Sequence, residues 1–284
     1  MRKFIGLLMI LLAQFSCTQP PQDSLTFKIQ YQPEKTYNCT SERITNSIIK
    51  YSGAEKSLQK LKSMGHQNPT FSNKKSNTEW VLKTGKRVDE TEFPVTVDYV
   101  ITVSNDGKKG TPVKANFSGK FLSNNMPVFN SIVSDGLDEK DKATLLQSLQ
   151  STFTQLSFPG RKVKIGEKFS IENPSSIPME GSTVDVVITT NYQLISISEG
   201  IAQFDISQQY TLNPKLMDNS LKGSVTGKGH LVYDIAHTIV LNYTLDTEMR
   251  INKKLDSFEF ELKTNSGIVQ TTKISTDWIG KVDY

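Results

Sequence analysis

The sequence feature that most constrains the fold is a period of two in hydrophobicity that recurs along the chain. In Ile201–Leu212, the apolar residues Ala202 and Phe204 fall on one face of an extended chain. The polar residues Gln203 and Asp205 fall on the other face. Because side chains alternate across a strand, this pattern predicts antiparallel strands with one buried and one hydrated face. The same alternation marks Leu25–Tyr31, Val95–Val103, Val184–Leu194, Thr238–Asn252 and Phe258–Leu262.

Short turn signals stand between several of these segments. Most contain a glycine, which tolerates positive φ, so they predict tight connections between antiparallel neighbours. A slip of the apolar phase at Leu194-Ile195 predicts a β-bulge, which bends a strand. Long, bent strands predict a mainly β fold with a curved antiparallel sheet, either a half-barrel or a sandwich-like meander. The predicted connections are Asn105-Asp106-Gly107, Glu199-Gly200, Asn265-Ser266-Gly267 and the four-residue Asp234–His237.

One segment has a helical period instead. Within Asp138–Leu156, the residues Leu145, Leu149 and Phe153 are spaced so that they share one face of a helix. Asp138 is a suitable N-cap, because its carboxylate accepts hydrogen bonds from the first free backbone N–H groups. We therefore expect one amphipathic helix that packs its Leu and Phe side chains against the sheet.

A second helix is predicted more weakly at Ala54–Met64, which is short and basic. The polar segment that follows it, Gly65–Asn77, contains no apolar alternation and is predicted to be a loop. Its length is unusual for a connection, since most connections have about 4–6 residues.

The amino terminus has the features of an export signal. Arg2 and Lys3 precede the apolar run Phe4–Ala13, which is too short to span a bilayer. The run ends in Gln14-Phe15-Ser16-Cys17, and this resembles the cleavage and acylation site of bacterial lipoproteins, although Gln14 stands where those signals carry Leu. The resemblance implies a lipid anchor at Cys17. The alternative is an ordinary signal peptide whose cleavage site lies near a cysteine.

The residues after Cys17 bear on the membrane. Thr18 is not the aspartate that favours inner-membrane retention in enterobacterial lipoproteins, so the resemblance implies the outer membrane. Cys17 through Gln22 contains no acidic residue, unlike the surface-export signal of Bacteroidota lipoproteins. A periplasm-facing outer-membrane lipoprotein is therefore expected, with surface exposure as the alternative.

Charge and cysteine content exclude some classes of function. The formal net charge is +4, and two of the basic residues belong to the signal. No basic stripe or known motif is present, so nucleic-acid binding is not expected. The second of the two cysteines, Cys39, lies in a predicted strand and is expected to be buried rather than reactive.

The chain divides by pattern into four regions. They are a signal peptide at 1–16, a lipidated tether at 17–24, an N-terminal β-rich region at 25–135, and a helix plus C-terminal antiparallel meander at 136–284. The pattern leaves open whether the two β-rich regions are one domain or two.

Three blocks carry a family resemblance. Phe158–Phe169, Tyr192–Ala202 and Gly227–Asp234 resemble segments of an uncharacterised family of exported, Bacteroidota-type lipoproteins. Phe169 stands where many members have Trp, which is a mild departure. The resemblance implies an exported lipoprotein and a β-rich fold, and it implies no activity.

Residues that could carry chemistry are scattered. No G-x-S-x-G motif or phosphate-binding loop is present, so no catalytic residue and no cofactor are predicted. His230, Asp234 and His237 flank one connection, but a metal site needs further ligands, and none is predicted. Four basic residues form a cluster, namely Arg161, Lys162, Lys164 and Lys168. The cluster is expected either to contact anionic lipid headgroups or to be a solvent-exposed edge of the sheet.

These observations favour a non-enzymatic, lipid-anchored envelope protein whose curved sheet binds a partner protein or an apolar ligand. This hypothesis predicts a pocket between the sheet and the helix, with Leu145, Leu149 and Phe153 facing the ligand. The alternatives are a structural or surface-interaction module without a pocket and, ranked last, a hydrolase with an unrecognised site.

Overall fold

A computed structural model describes residues 23–90, 92–122, 126–155, 160–179, 182–212, 221–254 and 258–275. Strands account for most of them. The first seven strands are β1 (Ser24–Phe27), β2 (Thr36–Gly53), β3 (Thr70–Thr84), β4 (Phe93–Asn105), β5 (Lys108–Lys109), β6 (Val113–Phe121) and β7 (Pro127–Val133). The others are β8 (Arg161–Lys164), β9 (Lys168–Met179), β10 (Ser182–Ser198), β11 (Ile201–Leu212), β12 (Leu221–Asp234), β13 (Ile239–Lys254) and β14 (Phe258–Ser275). The helices are α1 (Glu55–Ser63) and α2 (Glu139–Gln155).

Twelve strands form one open antiparallel sheet. Its order is β7-β6-β4-β3-β2-β14-β13-β12-β11-β10-β9, with β5 attached to β4, and the edge strands β7 and β9 are not joined. Strands β2 and β14 pair along their whole length, from Thr36 opposite Ser275 to Gly53 opposite Phe258. The two β-rich regions, 25–135 and 136–284, therefore contribute to a single sheet. Strands β1 and β8 form a separate two-stranded ribbon.

The sheet is strongly curved. Trp80 on β3 and Asn173 on β9 line the same small cleft, although seven strand positions separate their strands. In a flat sheet these strands would be about 34 Å apart, at roughly 4.8 Å per strand. The sheet therefore bends until its two wings face each other. A register shift between Leu194 and Ser196 places a bulge where the sequence predicts one.

Two apolar clusters lie on the concave face at the same end of the sheet. The first involves β2–β4, β6, β7 and α2, and the second involves the β1–β8 ribbon and β9–β13. Residues 28–35, here called the strap, connect β1 to β2 across this end. Tyr233 Oη donates to the Lys28 carbonyl at 2.6 Å, and Thr84 Oγ1 donates to the Gln32 carbonyl at 2.7 Å. These contacts fix the strap as one wall of the concave face.

Helix α2 packs on the first cluster, as its apolar spacing predicts. The Asp138 carboxylate accepts the backbone N–H of Asp141 at 2.8 Å, which confirms the predicted N-cap. Gln150 donates from Nε2 to the Pro127 carbonyl at 2.8 Å and accepts the Phe129 N–H at 3.0 Å, so the helix satisfies two backbone groups on the free edge of β7. Within the described ranges, neither helix is long and apolar enough to cross a membrane.

Several local predictions are confirmed by the structure. The helix predicted at Ala54–Met64 is α1. Asp106 and Gly107 have positive φ in the turn after β4, and Glu199 and Gly200 have positive φ in the turn after β10. The connection near Asp234–His237 also forms between β12 and β13.

Three local predictions are wrong. Asn265-Ser266-Gly267 is not a turn but lies inside β14, because β13 and β2 pair with it continuously on both sides. The loop predicted at Gly65–Asn77 ends at residue 69, since Thr70 begins β3. Most side chains at the start of β3 are exposed, so no apolar alternation marks it. The strand predicted at Leu25–Tyr31 ends at Phe27, where the strap begins.

Candidate functional site

The main cleft of the concave face lies between the two apolar clusters. Its volume is about 180 Å³. The strap contributes Ile29 and Tyr31, and Trp80 and Asn173 come from the two wings of the sheet. Strands β10–β14 supply the rest of the wall, so the site exists only because the sheet bends.

None of the described side chains that line this cleft is charged. It is rich in aromatic rings, and its tyrosines stay protonated at neutral pH. Burial raises the pKa of Tyr243 to about 12, and it also raises the pKa of Tyr31 and Tyr192. Protonated phenols remain able to donate hydrogen bonds. The cleft is therefore an apolar, neutral site with a few polar groups on its wall, a combination typical of ligand pockets.

Polar side chains form the rim on the side away from the strap. Tyr210 Oη donates to Gln208 Oε1 at 3.2 Å, and Gln208 Nε2 donates to Thr190 Oγ1 at 3.0 Å. Gln270 lies on β14, and its side-chain amide has no hydrogen-bond partner among the described residues. Its amide is therefore available to a polar group of a bound molecule.

The size of the cleft limits what it holds. Pockets for drug-sized ligands have volumes of about 300–1,000 Å³, whereas an apolar cavity of about 150 Å³ holds benzene. A cleft of about 180 Å³ matches part of one acyl chain better than a whole lipid. A second cleft lies between α2 and the edge of β9, lined by Phe129, Leu146 and Pro174. Asn173 lines both clefts, so the two are neighbours.

The predicted ligand-facing residues of the helix lie next to the main cleft and do not line it. Leu145 and Leu149 are partly buried against the first cluster, and Phe153 is 2% exposed within it. The Phe153 ring is 5.9 Å from the ring of Trp80 and 5.9 Å from that of Tyr31, centroid to centroid. Phe153 therefore supports two wall residues from behind. The predicted lipidation site, Cys17, lies outside the described residues.

The sequence analysis missed the residues that do line the cleft. Gln208, Gln270 and Thr272 are polar residues at strand positions that face the concave side. Polar residues at positions that the period of two assigns to the apolar face were the signal that could have pointed to the cleft. It identifies a feature of the inner face, but it does not reveal which strands stand opposite each other.

The histidines form separate pairs. His230 Nδ1 lies 2.8 Å from Asp205 Oδ1, and His237 Nδ1 lies 2.7 Å from Asp234 Oδ2. His230, Asp234 and His237 therefore do not converge on one point. In the part of the chain that the structure describes, no group of three His, Cys, Asp or Glu residues is arranged to hold a metal ion.

The basic cluster after α2 is partly neutralised. Arg161 forms an ion pair with Glu167 and lies 5.5 Å from the centre of the Phe169 ring. The Lys164 N–H donates to the Glu167 carboxylate at 3.0 Å. That hydrogen bond, together with Arg161, lowers the pKa of Glu167. Lys162 and Lys168 remain exposed on the surface.

Cys39 is buried in β2, as the sequence predicts. Burial raises the pKa of its thiol to about 11, while Thr272 donates a weak hydrogen bond to its Sγ at 3.7 Å. At neutral pH the thiol is therefore protonated and unreactive.

No protein family matches the sequence, and no curated protein matches it. Solved structures with some similarity include OpdL of Pseudomonas aeruginosa, at 8% identity and a TM-score of 0.28, with 84% of this chain and 99% of that chain covered. A bacterial polysaccharide outer membrane secretin matches at 8% identity and a TM-score of 0.25, covering 82% and 97%. Ail, the attachment invasion locus protein of Yersinia pestis, matches at 7% identity and a TM-score of 0.16, covering 82% and 97%. Scores of this size do not establish a shared fold.

Proposed function

We propose that this chain is a non-enzymatic, lipid-anchored protein of the bacterial envelope whose concave sheet face binds an apolar ligand. The observation that carries the ligand is the uncharged, aromatic cleft of about 180 Å³ between the two apolar clusters. The export signal and Cys17 support an outer-membrane lipoprotein that faces the periplasm. The three motif blocks support membership of the Bacteroidota-type lipoprotein family that they resemble.

Binding is tested first with a neutral apolar probe. Residues 18–284 contain every strand and helix that the structure describes, so they are the suitable soluble protein. We expect N-phenyl-1-naphthylamine to bind this protein with a rise in fluorescence. The change Ile188→Trp places a larger ring in the cleft and is expected to weaken binding at least about tenfold. Native mass spectrometry without detergent is expected to detect a retained apolar molecule.

The matched control is Thr189→Trp, because Thr189 is the next residue of β10 and its side chain points to the opposite face. It should bind the probe as the unmodified protein does. Circular dichroism shows whether each variant is folded, and Ile188→Phe replaces Ile188→Trp if the larger ring prevents folding. A bare mass together with no probe binding would contradict the ligand proposal and favour a surface-interaction module instead.

The anchor is tested separately from the cleft. Cys17→Ala removes the thiol proposed to carry the lipid, so the full chain is expected to move from the membrane fraction to the soluble fraction. Cys39→Ala is the matched control, since it removes the other cysteine and should leave the protein in the membrane fraction. Retention of the Cys17→Ala protein in membranes would disprove the anchor.

A further inference from the structure

The two faces of the sheet differ in charge. On the convex face, acidic and basic side chains of the strands form ion pairs with each other. These pairs are Glu42–Lys75, Asp98–Lys83, Glu248–Arg250, Glu261–Lys263 and Asp205–His230. Across the four adjacent strands β3, β2, β14 and β13, the concave face has basic residues at Arg43, Lys74 and Lys253. None of the described side chains on the concave side of these four strands is acidic.

Of these three basic residues, Arg43 lies nearest to the cleft. It lies opposite Ile268 on β14 and Ser76 on β3. Ser41 and its partner Gln270 lie one inward-facing position closer to the strap, and Gln270 lines the cleft. Two residues along a strand span about 6.8 Å, so the guanidinium group is within reach of the cleft rim. In the described part of the chain, Arg43 has no carboxylate partner.

The opposite wing brings the phenol of Tyr210 towards Arg43, and Tyr243 lies two strands from Arg43 on β13. Tyr210 lies opposite Ile188, a residue of the cleft wall, and donates to Gln208 on the rim. Burial raises the pKa of Tyr210 and of Tyr243, and the positive charge of Arg43 opposes this rise at both phenols. Four strand positions separate β2 from β11. Because the sheet bends until its two wings face each other, Tyr210 approaches Arg43 across the concave face, and the register places Arg43 one inward-facing position from the cleft residue Gln270.

A row of hydroxyl groups continues from Arg43 away from the strap. Thr45 Oγ1 and Ser266 Oγ are 3.0 Å apart, and Ser47 Oγ and Thr264 Oγ1 are 3.1 Å apart. Along β3, β2 and β14 the concave face thus changes from the apolar cleft to hydroxyl groups with the positive charges of Arg43 and Lys74, whereas Leu245 and Met249 keep it apolar on β13. This order of groups matches a molecule that has an apolar chain at one end and an anion at the other.

We infer that the ligand is an anionic amphiphile, with its acyl chain in the cleft and its carboxylate or phosphate group at Arg43. Arginine suits this role because its planar guanidinium group forms two parallel hydrogen bonds with a carboxylate or a phosphate. The phenol of Tyr243, opposite Gln270 in the cleft wall, can supply a further donor. This inference rests on the proposed function and adds the chemical class of the headgroup.

The experiment compares ligands that share one chain length. Dodecanoate, dodecyl phosphate and 1-dodecanol are each used to displace N-phenyl-1-naphthylamine from residues 18–284, below their critical micelle concentrations. We expect at least one of the two anions to bind about tenfold more tightly than the alcohol. Arg43→Gln should abolish this preference while leaving the affinity for the alcohol unchanged, and Arg43→Lys should restore part of it.

Lys50→Gln is the matched control, because it removes one positive charge from the convex face of the same strand. It should keep the preference for the anion. Preference for the carboxylate alone points to a free fatty acid, and preference for the phosphate points to a lipid headgroup. Equal binding of all three ligands would overturn the headgroup inference but leave the apolar cleft intact. A preference that survives Arg43→Gln would overturn the role of Arg43, and no binding of any ligand or of the dye would contradict the proposed function itself.

Discussion

Replacing Phe27 with alanine is expected to lower the free energy of unfolding by about 3–5 kcal/mol, the usual cost of deleting a buried phenylalanine ring. Phe27 is 1% exposed and joins the β1–β8 ribbon to the second apolar cluster. Its ring centroid lies 4.6 Å from that of Phe204 and 4.9 Å from that of Tyr233. Alanine would leave a cavity among these rings, and the ribbon would keep only Leu25 and Val163 as buried contacts with the second cluster.

Urea denaturation of residues 18–284, followed by circular dichroism, measures the change. The matched control is Phe71→Ala, since Phe71 is 66% exposed on β3. Its loss should change the free energy of unfolding by no more than about 0.5 kcal/mol, as is usual for surface substitutions. Similar losses for the two variants would mean that β1 is not packed against the second cluster.

Replacing Gly229 with alanine is expected to destabilise the protein by about 2–3 kcal/mol, the upper part of the range for an added group without space. A Cβ atom at this position of β12 would lie 1.9 Å from the carbonyl oxygen of Thr244 and 2.9 Å from the Cα of Leu245. Both atoms belong to the backbone of β13, so they cannot move aside as the end of a side chain would. The substitution must therefore separate two paired strands at the centre of the curved sheet.

Gly136→Ala is the matched control for this change. A Cβ atom at Gly136 would have no other atom within 4 Å, and its backbone does not have positive φ. Its free energy of unfolding should change by less than about 1 kcal/mol, with a small gain expected because alanine restricts the unfolded chain. The same urea denaturation measures both variants. A Gly229→Ala protein as stable as the control would contradict the close approach of β12 and β13.

The confirmed predictions are those whose signal is local. Ile201–Leu212 has the alternating pattern and is a strand with the same bounds. The helix predicted at Asp138–Leu156 begins after its Asp138 cap, because spacing and capping are properties of neighbouring residues. The errors occur where a local signal conflicts with pairing. Gly267 resembles a turn residue, yet β13 and β2 hold it in a strand from both sides.

The curved sheet with a packed helix is also confirmed, whereas export and a lipid anchor at Cys17 stay predictions. The position of the ligand site could not be predicted from the sequence. The helix residues Leu145, Leu149 and Phe153 were predicted to face the ligand, and the structure places them beside the cleft.

The sequence by itself determined those strands that alternate clearly, such as Ile201–Leu212, and which face of each is apolar, because both follow from a period of two along the chain. Only the tertiary structure decided that Trp80 stands across from Asn173 and that Arg43 lies one inward-facing position from Gln270 in the wall of the cleft. These relations depend on pairing between distant segments, such as β2 with β14, and on the bending of the whole sheet. Neither the pairing nor the bending can be predicted from a short window of sequence. The pairing joins segments that are far apart in the chain, and the bending is the sum of small twists and bulges over many strands.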